Sequence, residues 1–262
     1  MELRIGMISD VHYGSDSEFQ KGSKAPELLS SFVSAMHEFR PHLVVDLGDR
    51  VNNLDPPSDP LHLRALVKTT GSLPCPLRYV LGNHDLVHLS VRETEELLGQ
   101  QLTGLRAERL HGFPLLFVNS EGPRPTGSDY DRLWPELDSD SGGNEGLRPI
   151  ITFSHRPLLK VPLDNHKLFE PGSIQHCPWG VELLGRLSAH GFRPVCINGH
   201  LHWNHLLIEG PVIQLTLPSL VETWQAGIPA GSFGTLTIQD GGMHLEVRGR
   251  LPVHYDLDTE TG

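Results

Sequence analysis

Five short stretches concentrate carboxylate, amide and imidazole groups: "SDVH" at 9–12, "GDRVN" at 48–52, "GNHD" at 82–85, "SH" at 154–155 and "GHLH" at 199–202. Asp10, His12, Asp49, Asn83, His155, His200 and His202 supply seven nitrogen or oxygen donors and no thiolate. Donors of this borderline hardness suit manganese, iron, zinc, cobalt or nickel better than a purely soft metal. One catalytic metal takes about three protein ligands. Seven donors suit two metals sharing one carboxylate, and Asp49, at the end of a central strand, is the candidate bridge. The DxH and HxH spacings place two donors two residues apart, which an extended backbone turns to one side. Gly48, Gly82 and Gly199 would allow tight turns and close backbone approach. Each residue alone has an ordinary explanation: "GD" is often a turn, Asn83 can cap a loop, and His155 can be a structural histidine. The ordered conjunction, each cluster following an apolar run, points to a metal centre.

The elements that position these groups alternate between two periods. Leu3 to Ser9, "HLVVDLGD", "LRYVLGNHD", "LLFVNS", "PIITFSH" and "PVCINGH" read as strands, several nearly all apolar as in buried parallel sheets. Leu28 to Phe39 after Pro26, Leu61 to Lys68, Val91 to Leu98 and Val181 to His190 read as helices. Ser90 and Glu93 form a capping-box signature, and Gly191 can end the last helix. From Leu206 onward "HLLIEG", "VIQLTLP", "FGTLTIQ" and "MHLEVRG" read as antiparallel strands, with "QDGGMH" as a hairpin turn. Glu121 to Arg148, rich in Gly, Pro, Ser and Asp, reads as a long exposed, flexible loop with one helical turn around Tyr130 to Trp134. The expectation is a single α/β domain over 1–262 with two packed sheets. In open α/β sheets ligands bind beyond the carboxyl ends of strands, so all five clusters can converge.

The bulk numbers narrow the class. The chain has 262 residues, 38% hydrophobic and 20% charged, as ordinary globular proteins do. A formal net charge of -11 opposes general nucleic-acid binding. The 16 histidines cluster rather than scatter, and Cys75, Cys177 and Cys196 form no CxxC pair. With no secretory pattern in "MELRIGMISD" and no run of membrane-spanning length, a cytoplasmic location is the expectation.

The five blocks, spanning Asp10 to His202, resemble the signature of the calcineurin-like metallophosphoesterase superfamily. The resemblance implies a four-layer α/β/β/α sandwich of two mixed sheets with flanking helices, and a dinuclear centre between the sheets. It implies that Asp10, His12, Asp49 and His202 hold one metal, that Asp49, Asn83, His155 and His200 hold the other, and that His84 is the acid beside the scissile ester. Asn53 and Leu54 replace the Arg and Gly of the "GDxVDRG" found in serine/threonine and diadenosine tetraphosphatases. Asn52 stands where purple acid phosphatases carry a tyrosine, and His84 where UDP-diacylglucosamine pyrophosphatases carry arginine. What remains is the class of small cytoplasmic phosphodiesterases, both cyclic-nucleotide phosphodiesterases and manganese-dependent ADP-ribose/CDP-alcohol pyrophosphatases; the motifs fit both. The expected reaction is hydrolysis of a phosphodiester or pyrophosphate bond in a small, anionic, nucleotide-like substrate by a hydroxide drawn from metal-acidified water. A phosphomonoesterase, a non-catalytic metal-binding scaffold and a nuclease are the alternatives. Asn52, in the slot where relatives often carry a carboxylate, is expected to orient His84. Arg50 and Arg156 are candidates for phosphate contact, Trp203, Trp224 and Tyr130 for base stacking, and His88 and His205 for supporting or surface roles.

Overall fold

The computed structural model describes residues 2–137, 147–223, 227–239 and 242–258. Its first sheet contains β1 (Glu2–Ile8), β2 (Leu43–Asp46), β3 (Leu77–Tyr79), β10 (Phe233–Gln239), β11 (Gly242–Arg248) and β12 (Val253–Asp258), in the order β12-β11-β10-β1-β2-β3. The second contains β4 (Leu105–Leu110), β5 (Phe113–Val118), β6 (Arg148–Ser154), β7 (Phe192–Asn198), β8 (His205–Glu209) and β9 (Val212–Thr216), in the order β4-β5-β6-β7-β9-β8. Both are mixed: β1, β2 and β3 run parallel, as do β5, β6, β7 and β9, while the outer strands pair antiparallel.

Alternation along the strands explains the layering. Leu3, Ile5 and Met7 of β1 and Val45 of β2 meet Phe117, Ile151, Phe153, Val195 and Ile197 of the second sheet in one apolar layer. The opposite faces carry the helices. α1 (Ala25–Phe39) puts Leu29, Phe32 and Met36 against Ile8 and Val44. α2 (Ser58–Thr70) and α3 (Val91–Leu98) cover Tyr79 and Leu81. α4 (Gly127–Leu137) and α5 (Gly180–Ala189) cover Leu116, Ile150 and Cys196. The four-layer α/β/β/α sandwich expected from the sequence is therefore present.

Local signals worked where they were strong. Ser90 and Glu93 form the reciprocal capping box of α3, and Gly191 adopts φ 78° just beyond α5. Three readings are corrected. Glu121 to Arg148 is not simply an exposed loop: α4 occupies Gly127–Leu137 and buries Tyr130, Leu133 and Leu137 in one apolar cluster with residues of the second sheet and of α5, although 138–146 lie outside the described residues. The polar composition of the segment masked this apolar stripe. The tail is not purely antiparallel, because β9 pairs parallel with β7. β4 and β12 were not foreseen; "LRAERL" is half-buried at every position and shows no clean alternation. No helix of the described residues is long and apolar enough to cross a membrane.

Since α4 packs as a structural element, replacing 121–148 by a short Gly-Ser link is expected to destabilise the fold. More specifically, Leu133, 3% exposed, should cost about 2–5 kcal/mol when cut to alanine, read as a lower urea midpoint with unchanged slope. An unchanged midpoint would show that α4 is only peripheral.

Candidate metal centre

The five polar clusters leave the carboxyl ends of β1, β2, β3, β6 and β7, and hydrogen bonds lock their loops together. Asp10 N–H donates to Gly48 O (3.0 Å), His12 N–H to Asp49 O (3.0 Å) and Gly199 N–H to His155 O (3.0 Å). A Cβ on Gly82 would strike the Asp49 carboxylate, and one on Gly199 would strike Ser9 Oγ and Asp10. Both positions thus need glycine for close approach.

The sequence expectation of extended backbone at the DxH and HxH pairs is wrong. Asp10 (φ 52°), His12 (42°), Asp49 (56°), His200 (68°) and His202 (59°) all lie in the left-handed region. Such conformers cost on the order of 1–3 kcal/mol each and persist where surrounding contacts over-determine them. Here the chain curls around the site, so both members of each pair reach it by turning rather than by pleat alternation.

Two donor groups result, each with ligand atoms within 4.8 Å of one another: Asp10, His12, Asp49 and His202, and Asp49, His155 and His200. In the first, His12 Nε2 lies 3.0 Å from His202 Nε2, which lies 3.3 Å from Asp10 Oδ1. In the second, His155 Nε2 is 3.2 Å from Asp49 Oδ2, from Asn83 Oδ1 and from His200 Nδ1. Asp49 belongs to both, as a bridge must. The six carboxylate and imidazole residues are all buried. Their N/O chemistry, buried carboxylates and shared aspartate fit a dinuclear metal site.

Neighbours orient the rings. His155 Nδ1–H donates to Leu47 O (2.9 Å) and His202 Nδ1–H to Glu222 Oε2 (2.8 Å), so each ring turns Nε2 inward. Buried Glu222 was not foreseen; "LVET" carries no signal for this role. Asp85, within "GNHD", was also given no role, yet it accepts from the backbone N–H groups of Asp49 (3.1 Å), Arg50 (2.8 Å) and Gly82 (3.0 Å).

The charges are strongly coupled. Burial favours the neutral acid at Asp10, but the adjacent His202 outweighs it and holds the carboxyl at about 2. Burial is likewise overcome at Asp49, where His155 and His12 hold the acid well below its usual range. Burial opposes charge on His155 and His202 too. Asp49 nevertheless lifts His155 to about 9, and Asp10 with Glu222 lifts His202 to about 10. His12 falls to about 3 through burial and the nearby His202, and His200 falls well below 6.5 through burial, His155 and Arg156.

His84 joins neither group. It is partly exposed, lies edge-on to His12 with centroids 4.8 Å apart, and its backbone N–H donates to Asp49 Oδ1 (2.8 Å). Its orienting partner is Asn53, whose Nδ2 lies 2.6 Å from Nδ1, and not Asn52, whose amide donates to Ser15 O (3.2 Å). Left-handed turns at both Asp49 and Asn53 (φ 51°) bring the fourth residue after Asp49, rather than the third, towards the ring. An amide N–H can only donate, so Nδ1 accepts and the neutral ring carries its proton on Nε2.

Other candidates are sorted by their surroundings. Arg50 is 1% exposed and is paired with Asp46 and Asp85, which removes it from substrate contact. Arg156 pairs with Glu121 and reaches His200 Nε2 (2.9 Å). His88 binds buried Asp59 (2.7 Å) and His205 stacks on Trp203 (5.7 Å between centroids). Trp203 packs against Val161, Leu163 and Leu201, and Tyr130 is buried on the inner face of α4, so neither is a free stacking platform. Trp224 lies outside the described residues.

The model of the calcineurin-like phosphoesterase family matches residues 3–204. The structure is similar to a dimetal phosphatase from Danio rerio, at 17% identity and TM-score 0.72, covering 98% of this chain and 99% of that one. It is also similar to the purple acid phosphatase PPD1 from yellow lupin (Lupinus luteus) seeds, at 13% and 0.63 over 98% of this chain and 54% of that one. A third likeness is to GAP50, the anchor in the inner membrane complex of Plasmodium, at 14% and 0.58 over 99% and 90%. At these identities the likeness is one of fold. Among curated proteins no sequence matches.

Two outcomes test the site. Asp49→Ala should strip both metals, whereas His12→Ala should weaken mainly one; elemental analysis showing Asp49→Ala with two tightly held ions would remove the bridge. Metal must also displace protons from His155 and His202, whose folded values stand near 9 and 10. Loading the stripped protein at pH 7 is expected to release about two protons, with apparent affinity rising as pH rises towards those values. Loading without proton release in weakly buffered titrations would contradict this charge assignment.

Proposed function

The chain belongs to the calcineurin-like phosphoesterase family, and from that premise we propose that it is a dimetal phosphohydrolase cleaving a phosphodiester or pyrophosphate bond in a small, anionic, nucleotide-like substrate. One observation carries this reading: two buried donor groups share Asp49, and a partly exposed histidine in neither group stands beside them. Asp10, His12, Asp49 and His202 would hold one ion, and Asp49, Asn83, His155 and His200 the other; manganese, iron, zinc, cobalt and nickel all suit these donors. When bound, the two ions supply an acidified water as nucleophile and neutralise charge on the phosphoryl oxygens.

The chain's own groups do the rest. His84 presents Nε2–H to the departing oxygen, and Asn53 fixes its plane. The choice of ester over more highly charged phosphates is supported by the arginines. Both guanidiniums flanking the ligands are committed, Arg50 to Asp46 and Asp85 and Arg156 to Glu121. A singly charged diester needs less additional cationic support than a monoester dianion. The formal charge of -11 opposes a nuclease, and the thiols Cys75, Cys177 and Cys196 are free, in keeping with a cytoplasmic setting.

Leaving-group dependence tests the acid. His84→Ala should keep both metals and the fold. Turnover of a p-nitrophenyl diester, whose leaving group needs little protonation, should fall slightly. Turnover of an alkyl diester should fall towards the upper end of the roughly 10²–10⁴ range of general-acid help. Asn53→Ala should show the same trend at smaller size and add little to His84→Ala, since residues acting as a unit are non-additive. Asn52→Ala should show no such trend. Equal losses on both substrates would assign His84 to substrate positioning instead.

A further inference from the structure

Gln175 lies in the segment between β6 and α5, outside all five polar clusters, yet its Oε1 sits 2.9 Å from His200 Nε2. The same ring nitrogen has a second neighbour, Arg156 Nη1, also at 2.9 Å. These two contacts ask for opposite tautomers. Arg156 can only donate, so its bond to Nε2 requires an unprotonated Nε2 and places the ring's proton on Nδ1. That proton would then point at His155 Nε2, 3.2 Å away, in the heart of the second donor group. A protonated Nδ1 has no lone pair for a metal. The amide oxygen of Gln175 can only accept. Its bond takes the proton on Nε2 and frees Nδ1 towards Asp49, Asn83 and His155.

We propose that Gln175 is a positioning residue that holds His200 in the metal-binding tautomer, against Arg156, and so sets the affinity of the second metal site. The inference rests on the dimetal reading above. The surroundings are built for it. Arg156 donates to Gln175 Oε1 as well (3.3 Å), so one acceptor lies between two donors and can satisfy both. Glu121 holds the other side of the guanidinium through bonds to Nε of 2.9 and 3.1 Å. Phe169, from the same segment, lies against the His200 ring with centroids 5.3 Å apart, which limits the ring's freedom to swing away from the amide. The ring is buried, so the two competing contacts at Nε2 decide whether Nδ1 can bind.

The test compares metal-stripped wild type, Gln175→Met and Gln175→Glu by calorimetric titration with Zn²⁺ and elemental analysis after dialysis. Methionine keeps the length and removes the acceptor; glutamate restores one. Gln175→Met should retain one ion at wild-type affinity and bind the other about 10–100-fold more weakly, the usual effect of removing an outer partner of a metal-bound histidine. Gln175→Glu should bind both at least as tightly as wild type. In ¹⁵N-labelled, Zn²⁺-loaded wild type, the His200 signals should show a proton on Nε2 and coordination at Nδ1. Wild-type affinity at both sites in Gln175→Met, or a wild-type His200 bonded to zinc through Nε2, would overturn the role of Gln175 while leaving the dimetal reading intact. Wild type that takes up no zinc would instead overturn the dimetal reading itself.

Discussion

Three backbone N–H groups and one guanidinium converge on the buried carboxylate of Asp85, and the geometry of the centre depends on that convergence. Asp49 N–H and Arg50 N–H come from one loop, Gly82 N–H from the next, and Arg50 Nη1 closes the set at 2.6 Å. Arg50 in turn donates to Val80 O (2.8 Å), pairs with Asp46 (3.2 Å) and lies over the Tyr79 ring (4.7 Å). A buried ion pair is a weak source of net stability, because desolvation offsets most of its attraction. Its effect here is on placement. Two strand-end loops that carry Asp49, Asn83 and His84 cannot shift independently without stranding a buried charge, which costs about 3–5 kcal/mol. Burial raises Asp46 to about 6 against the pull of Arg50, a sign of how closely matched these opposing terms are.

The same economy of charge governs the imidazoles. A neutral histidine binds a metal through one nitrogen only if its proton sits on the other, and the outer partner decides where the proton sits. Three different partners do this here: a main-chain carbonyl for His155, a carboxylate for His202 and a carboxamide for His200. The carbonyl of Leu47 stands just beyond the end of β2, whereas Glu222 and Gln175 lie in the connections between β9 and β10 and between β6 and α5. Each donor group thus draws part of its definition from a segment outside the sheet ends.

Much of this was legible in the sequence because metal chemistry restricts both residue type and spacing. The convergence of Asp10, His12, Asp49, His155, His200 and His202 beyond strand ends, with Asp49 common to both groups, was readable from "DVH", "GDRVN", "SH" and "GHLH". The layer architecture followed from long apolar strands. The partners that orient the donors were not legible. Glu222, Gln175 and Asn53 each act through a contact between segments distant in sequence, and no local pattern distinguishes them from surface polar residues. α4 was missed for a related reason: its apolar positions, Tyr130, Leu133 and Leu137, are diluted by Gly, Ser, Asp and Pro, and only their packing with the second sheet and α5 reveals them.

The amide beside His84 deserves comparison with the carboxylate that could occupy such a position. A carboxylate only accepts, so it favours a proton on Nδ1 and stabilises the imidazolium by charge. An amide has two faces. With Nδ2 towards the ring, as observed, it pins the neutral form with its proton on Nε2, ready to donate a hydrogen bond. Asn53 Oδ1 is buried and has no hydrogen-bond partner among the described residues, so a half-turn of the amide costs no existing bond at that atom. The turned amide accepts from Nδ1–H and accommodates the cation. Asn53 can thus follow His84 through both protonation states without adding another anion near Asp49. A carboxylate there would bring charge repulsion to a region that already holds Asp10, Asp46, Asp49 and Asp85 at 4% exposure or less. In a site so crowded with buried acids, an orienting group without charge places the ring while leaving the electrostatics of the metal ligands undisturbed.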